Sequence, residues 1–233
     1  MDHCVFIQAN DKQMLGAIVA EYALRRYSKN NDKFDIRIMN YDDIPVFRQH
    51  EGQMFLRDGG KREWVRDDLQ SFTPSRFMPP QLMNFQGRAV VIDPDVFARA
   101  DIWDLLSCDM QGKAILCRPK SGNKGKRGCL ATSVMLLDCA KLKHWKFEEQ
   151  FNAMFDGTRD YMKWVCLKYE DPDSIGFFDL AWNDFDHLDQ NTKMLHTTKR
   201  KHQPWKTGLP IDYRPADSFR LFPPKHWVRR ARR

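Results

Sequence analysis

Asp93 and Asp95 stand directly after the apolar run Ala89-Val90-Val91-Ile92, with Pro94 between them. A β-branched run bounded by Gly87 and Pro94 reads as a buried strand. Burying a carboxylate without a partner is costly, so two of them at a strand end call for something cationic. If the chain stays extended through Pro94, both side chains fall on the same side and can share one hard divalent ion. Such ions characteristically also hold phosphate oxygens. In an open α/β sheet, ligands collect beyond the carboxyl ends of the strands, where these aspartates would lie. The chemistry suggested is diphosphate chemistry. The same tripeptide is also good turn chemistry, in which Asp opens a turn, Pro fixes φ and the second Asp caps the next segment. On these residues alone both readings stay open.

The elements that must position the pair begin with a strand over Cys4-Val5-Phe6-Ile7-Gln8 and a turn at Ala9-Asn10-Asp11. Met14, Leu15, Ile18, Val19, Tyr22 and Ala23 come next at helical spacing and predict a helix with that face on the sheet. Phe34 to Met39 alternates and predicts a second strand, parallel to the first by the handedness of β-α-β units. Residues 41–72 are polar, carry the loop signal Asp58-Gly59-Gly60-Lys61 and read as a variable excursion. Thr73-Pro74 opens a helix, with Thr as N-cap and Pro in the first position. Arg76 would lie in the first turn, against the helix dipole, which marks it as a functional contact or one half of a surface salt bridge. Asp101 can cap a short helix through Leu106, and Ala114 to Cys117 and Thr132 to Leu137 predict two more strands. Between them, Ser121 to Gly128 reads as a hairpin connection or as a loop closing on an anion; it lacks the Gly-Lys-Ser/Thr ending of a phosphate loop. Trp145, Phe147, Phe151, Met154 and Phe155 predict an amphipathic helix whose aromatic stripe is core.

With 233 residues and 42% hydrophobic content, the chain suits one α/β domain, taken as 1–228, followed by the basic tail Arg229-Arg230-Ala231-Arg232-Arg233. Thirty-eight basic against 31 acidic residues give +7, which favours an anionic partner. No apolar stretch is long enough for a bilayer, and Met1-Asp2-His3-Cys4 lacks signal-peptide character, so the expectation is a soluble, cytoplasmic protein. The six cysteines form no Cys-x-x-Cys pair, which argues against a zinc ribbon and for reduced thiols in or near the core. The tail reads as a solvated end or as a weak contact to an anionic membrane surface.

Arg76-Phe77-x-x-Pro80-x-Leu82, the apolar strand, Asp93-x-Asp95 and Asp101-Ile102-x-x-Leu105 occur in the order found in GT-A-fold glycosyltransferases, and this chain resembles their family 8-like group. Ser133-Val134-Met135-Leu136, Ile175-Gly176, Trp182-Asn183, Thr192 to Thr198 and Gln203-Pro204-Trp205-Lys206 extend the resemblance over most of the chain. It departs from the pattern at Pro94 and at Gln203, where a lysine is often found. The resemblance implies a Rossmann-like, mostly parallel central sheet flanked by helices. It implies metal-dependent transfer of a hexose from a nucleoside-diphosphate sugar, with a UDP-sugar as the expected donor, to a saccharide, protein or lipid-linked acceptor, with retention by front-side attack. It implies Mn²⁺ or Mg²⁺ on Asp93, Asp95 and His196, and an imidazole ligand tilts the choice towards manganese. Ala9, Asn10 and Asp11 would cradle the uridine, or form an ordinary turn capped by Asp11. Arg76 and Lys206 would meet the donor near its diphosphate, Trp182, Asn183 and Trp205 would serve the sugar or acceptor side, and Ser133 and Asp138 would face the sugar pocket or support it. No nucleophile is identified; Asp160, Asp171 and Asp184 are polar neighbours without an assigned role. The rival readings are a non-catalytic nucleotide-sugar or carbohydrate-binding protein and a metal-dependent nucleic-acid enzyme. The latter would recruit further carboxylates, so no nucleic acid is expected as partner.

Overall fold

The computed structural model describes residues 2–119 and 129–206. Strand β1 (His3–Ala9) leads into helix α1 (Met14–Tyr27) and strand β2 (Asp35–Asn40). Helix α2 (Pro45–Gln49) and the hairpin β3 (Met54–Arg57) and β4 (Gly60–Glu63) come next. Helix α3 (Pro79–Leu82) precedes β5 (Arg88–Ile92), β6 (Val96–Ala98), helix α4 (Trp103–Leu106) and β7 (Ile115–Pro119). The remainder comprises β8 (Leu130–Asp138), helices α5 (Phe147–Asn152) and α6 (Tyr161–Val165), and short strands β9 (Ile175–Phe177), β10 (Asp184–Phe185) and β11 (Met194–His196). The glycine-rich stretch 121–128 and the tail 229–233 lie outside the described residues.

The main sheet has the order β2-β1-β5-β8-β7-β9. β1 pairs parallel with β2 and β5, and β7 pairs parallel with β9, while β8 runs antiparallel between β5 and β7. Five strands thus point one way and β8 alone runs back. The β1-α1-β2 unit is parallel as the sequence predicts. Register brings Ile7 opposite Ile92, so Gln8 and Asp93 emerge side by side where β1 and β5 end. At the same end of the sheet Pro119, the last residue of β7, pairs with Leu130, the first of β8.

Alternate strand residues feed two cores, as a pleated sheet requires. Val5, Ile7, Val90, Ile92, Val134 and Leu136 pack with Ala17, Ala20, Leu24 and Leu106 on one face. Cys4, Phe6, Val91, Met135 and Leu137 pack on the other with an aromatic cluster of Tyr41, Phe47, Phe55, Trp64, Phe151 and Trp164. The second cluster corrects the reading of 41–72 as an excursion, because that stretch supplies four of those six rings. It is irregular because isolated large aromatics, not a periodic stripe, anchor it. The aromatic stripe after Trp145 is core as expected, but its helix is short, Phe147–Asn152.

Three further expectations are corrected. The buried face of α1 is Gly16, Ala17, Ala20, Ala23 and Leu24, whereas Leu15, Ile18, Val19 and Tyr22 are exposed. At its first turn the helix lies so close to the neighbouring backbone that no side chain fits; a Cβ on Gly16 would stand 2.5 Å from the Pro94 carbonyl oxygen. Thr73–Phe77 is a 3-10 turn without a side-chain cap, and Thr73 lies inside it. Cys129 and Cys166 are joined in a disulfide, while Cys4, Cys117 and Cys139 are buried free thiols and Cys108 is half-buried. Among the described residues no helix is long and apolar enough to cross a membrane.

Candidate metal centre

β5 delivers Asp93, whose N–H donates to the Ser133 carbonyl at 2.9 Å. The chain does not stay extended through Pro94: the Val96 N–H donates back to the Asp93 carbonyl at 3.2 Å, closing a tight turn. The turn reading and the ligand reading therefore hold together, since the turn is what folds Asp95 back beside Asp93. β6 then pairs antiparallel with β11, setting His196 opposite Val96. The Thr197 N–H donates to the Asp95 carbonyl at 3.0 Å, which fastens the two segments at the site itself. One ligand atom each from Asp93, Asp95 and His196 lies within 4.8 Å of the others.

The imidazole is held from behind. Asn183 is fully buried, and its Nδ2 donates to Ser133 Oγ at 3.0 Å. That leaves Asn183 Oδ1 to accept from His196 Nδ1 at 3.0 Å, with Ser133 Oγ a further 3.3 Å contact of the same nitrogen. A proton on Nδ1 leaves the neutral ring with its lone pair on Nε2. Nε2 stands 3.4 Å from Asp95 Oδ1. Two acceptors facing each other at that range call for a cation between them, and the fixed tautomer is the one a metal requires.

Each carboxylate is also tied down on one oxygen. Asp93 Oδ1 accepts from Gln8 Nε2 at 2.5 Å and from Arg76 at 2.8 Å. Arg76 is buried and its other terminal nitrogen donates to Thr132 Oγ1 at 2.5 Å, so this is an interior ion pair and not a surface one. Asp95 Oδ2 accepts from Gln203 Nε2 at 2.5 Å and lies 3.6 Å from Lys206 Nζ. Burial pushes the Asp93 carboxyl above its ordinary range and Asp95 adds to this, with Arg76 opposing. Asp95 is held below its ordinary range: burial pushes it up, but the imidazole beside it and the Lys206 ammonium outweigh that. Gln8, Thr132 and the role of Asn183 escaped sequence reasoning. Gln8 carried a signal, since it is a polar side chain near the end of an otherwise apolar strand.

The site opens into a cavity of about 480 Å³ lined by Arg76, Asp93, Asp95, Thr132, Ser133, Tyr161, Met162, Phe185, His196, Gln203 and Lys206, among others. Ala9 is buried at the end of β1, and Asn10 donates to the Asp68 carbonyl and Ser71 Oγ. Asn10 and Asp11 line a smaller hollow of about 80 Å³ with Tyr41, Asp42 and Arg66, where Arg66 bridges Asp11 and Asp42. Trp182 lies in the core with Lys193 over its ring, away from the cavity lining. Trp205 also stays outside the lining and packs on α1, donating from Nε1 to Gln13 Oε1 at 3.1 Å. Asp138 lies at the far end of β8, paired with Lys141, because that strand runs backwards. Asp160 and Asp171 cap short helices and Asp184 accepts from Thr192, so none of the three lines the cavity.

No protein-family model matches the sequence, and no curated protein matches it significantly. The fold, in contrast, matches solved glycosyltransferases. GlyE of Streptococcus pneumoniae TIGR4 superposes with a TM-score of 0.58 at 13% identity, covering 88% of this chain and 59% of that one. Mouse xyloside xylosyltransferase 1 gives 0.54 at 13% identity over 85% of this chain and 98% of that one. Galactosyltransferase LgtC, solved with donor and acceptor sugar analogues, gives 0.55 at 11% identity over 84% and 87%. The chain thus spans about three fifths of GlyE but most of the other two. At these identities the likeness establishes the architecture: the chain has the GT-A glycosyltransferase fold, with a mixed, mostly parallel central sheet.

Proposed function

We propose that the protein is a metal-dependent glycosyltransferase that moves a hexose from a nucleoside-diphosphate sugar, with a UDP-sugar as donor, to a saccharide, protein or lipid-linked acceptor. The observation that carries this is the convergence of Asp93, Asp95 and the unprotonated Nε2 face of His196 on one wall of a cavity that also holds two cations. Those three residues would hold Mn²⁺ or Mg²⁺, and the donor set of two carboxylates and one imidazole suits manganese. When bound, the ion supplies charge neutralisation to a departing diphosphate. Asn183 and Ser133 keep the imidazole in register. Arg76 holds Asp93, and Lys206, now against Asp95, offers its ammonium to diphosphate oxygens. Asn10 and Asp11, at the hollow beside β1, are the candidates for the base.

No third carboxylate among the described residues lines the cavity. A covalent intermediate on Asp or Glu therefore has no candidate there, which supports retention by front-side attack. The same fact weighs against a nucleic-acid enzyme. The Cys129–Cys166 disulfide favours an oxidising compartment over the cytoplasmic setting expected from sequence.

One observation favours a second reading. Arg76 and Lys206 each stand against one aspartate, so the charge of the pair is opposed from within the protein, and the site could serve a protein that binds the sugar nucleotide without turnover. A panel of UDP- and GDP-sugars assayed for hydrolysis and transfer, with and without Mn²⁺, separates the two. Mn²⁺-dependent release of UDP supports the transferase; donor-induced thermal stabilisation with no release over hours supports the binder. No response to any donor would refute both.

A further inference from the structure

Arg118 is a charged residue near the end of the otherwise apolar strand β7, and it does not line the cavity. β7 and β8 pair in step as far as Cys117, which faces Met135, but Arg118 faces Ala131. That jump leaves Thr132, Ser133 and Val134 without partners in β7, at the place where Ser133 meets His196. Irregularities of this kind in a ladder re-aim a side chain, and they recur beside active sites.

The side chain leaves the main sheet for the short segment that supports the imidazole. Its Nη1 donates to the Asn183 carbonyl and, at 3.5 Å, to the Leu180 carbonyl, which belong to the last and first residues of one 3-10 turn. The guanidinium carbon lies 4.5 Å from the centroid of the Phe185 ring, a cation–π contact that holds the group in place. Phe185 in turn pairs with His196 across β10 and β11, their rings 5.1 Å apart. Arg118 thus ties down the backbone of the same residue whose Oδ1 accepts from His196 Nδ1. With that backbone held and its Nδ2 committed to Ser133 Oγ, the Asn183 amide has one orientation left, and the imidazole has one tautomer. We propose that Arg118 is a positioning residue for the metal centre: by holding the Asn183 carbonyl it sets the orientation and tautomer of His196. Resting on the reading of Asp93, Asp95 and His196 as metal ligands, this role predicts weaker metal binding when Arg118 is lost; its effect on the ring itself holds with or without metal.

The test uses the full chain as parent, Arg118→Met, Asn183→Leu and the double variant. Mn²⁺ affinity is read by isothermal titration, and the His196 ring nitrogens are read by 15N NMR without metal, assigned by the signals missing from His196→Gln. Arg118→Met should lower Mn²⁺ affinity by about tenfold or more in the parent, the usual loss when a group behind a metal-binding imidazole is removed. In the Asn183→Leu background the same substitution should change it by about twofold or less, because the two residues act in series. The parent ring should hold its proton on Nδ1, and the Arg118→Met ring should divide it between the two nitrogens. Arg118→Gln takes the place of Arg118→Met should the latter fail to fold. An arginine that only braces the fold would lower the melting point and leave affinity and ring spectrum unchanged; that result overturns the proposal, as do equal losses in both backgrounds or an unaltered ring spectrum. A parent that binds no Mn²⁺ would remove the metal reading, and the ring spectrum would then decide the role of Arg118 by itself.

Discussion

Gly16→Ala sets two physical effects against each other at the loop that carries Asp93 and Asp95. In a helix interior, alanine is favoured over glycine by about 1 kcal/mol. Were Gly16 an ordinary helical residue, the variant would melt about 2 to 4 °C higher for a chain of this size. The structure argues the opposite. The new Cβ would stand 2.5 Å from the Pro94 carbonyl oxygen and 3.2 Å from two ring carbons of Trp205, and Pro94 must retreat by at least 0.5 Å to reach even 3.0 Å. Overpacking of this kind costs about 1–3 kcal/mol, which cancels or exceeds the propensity gain. Pro94 lies between Asp93 and Asp95, and metal–ligand distances hold to within about 0.2 Å, so a displacement of that size reaches the ligands. We expect a melting point unchanged or lower and an Mn²⁺ affinity reduced at least tenfold, read by differential scanning calorimetry and isothermal titration. A variant that melts several degrees higher and binds Mn²⁺ as the parent does would refute the reasoning. The melting curve without metal decides the packing part even if the metal reading fails.

Asp95→Asn should abolish donor turnover while leaving the melting curve within a few degrees of the parent; full activity at limiting Mn²⁺ would remove Asp95 from the metal site. Asn183→Leu should weaken Mn²⁺ binding by about 10- to 100-fold, the usual cost of removing the group that orients a metal-binding imidazole, and equal affinity in both proteins would count against that role. Asp101 accepts from Ser28 Oγ and Asn30 Nδ2 and from the Lys29 and Trp103 N–H groups. Burial alone would raise its carboxyl, but these bonds hold it below the ordinary carboxylate range. Its folded pKa lies below the unfolded one, so its stabilisation is present above the unfolded value of about 4 and is lost as pH falls through the folded value. Asp101→Ala should therefore cost about 1–2 kcal/mol at neutral pH, and urea melts should show that difference shrinking below about pH 4; a difference independent of pH would contradict it.

Five of the six strands of the main sheet, all but β9, and the aspartate pair were legible because apolar runs and a carboxylate pair at a strand end are local signals. His196 was reachable only through the ordered set of motifs, since a three-residue strand that pairs with β6 has no periodicity of its own. Asn183 was noticed but given the wrong place: a sequence cannot distinguish an amide facing ligand from one buried behind a ligand. The phase of α1 was misread for a related reason. Large apolar residues and small ones both recur at helical spacing, and close approach to Pro94 selects the small set for the interior. The aromatics of 41–72 are too widely spaced to show a period, although they supply four rings of one core.

The lone reversed strand, β8, has a consequence for the wall of the cavity. Because Pro119 pairs with Leu130, β7 ends and β8 begins at the end of the sheet that carries Asp93, and Cys129 and Leu130 line the cavity. Had β8 run with its neighbours, its first residues would have stood at the opposite end of the sheet, away from the aspartates. As built, the first residues of β8 are fixed by backbone pairing beside the aspartates, so that wall of the cavity is part of the sheet itself.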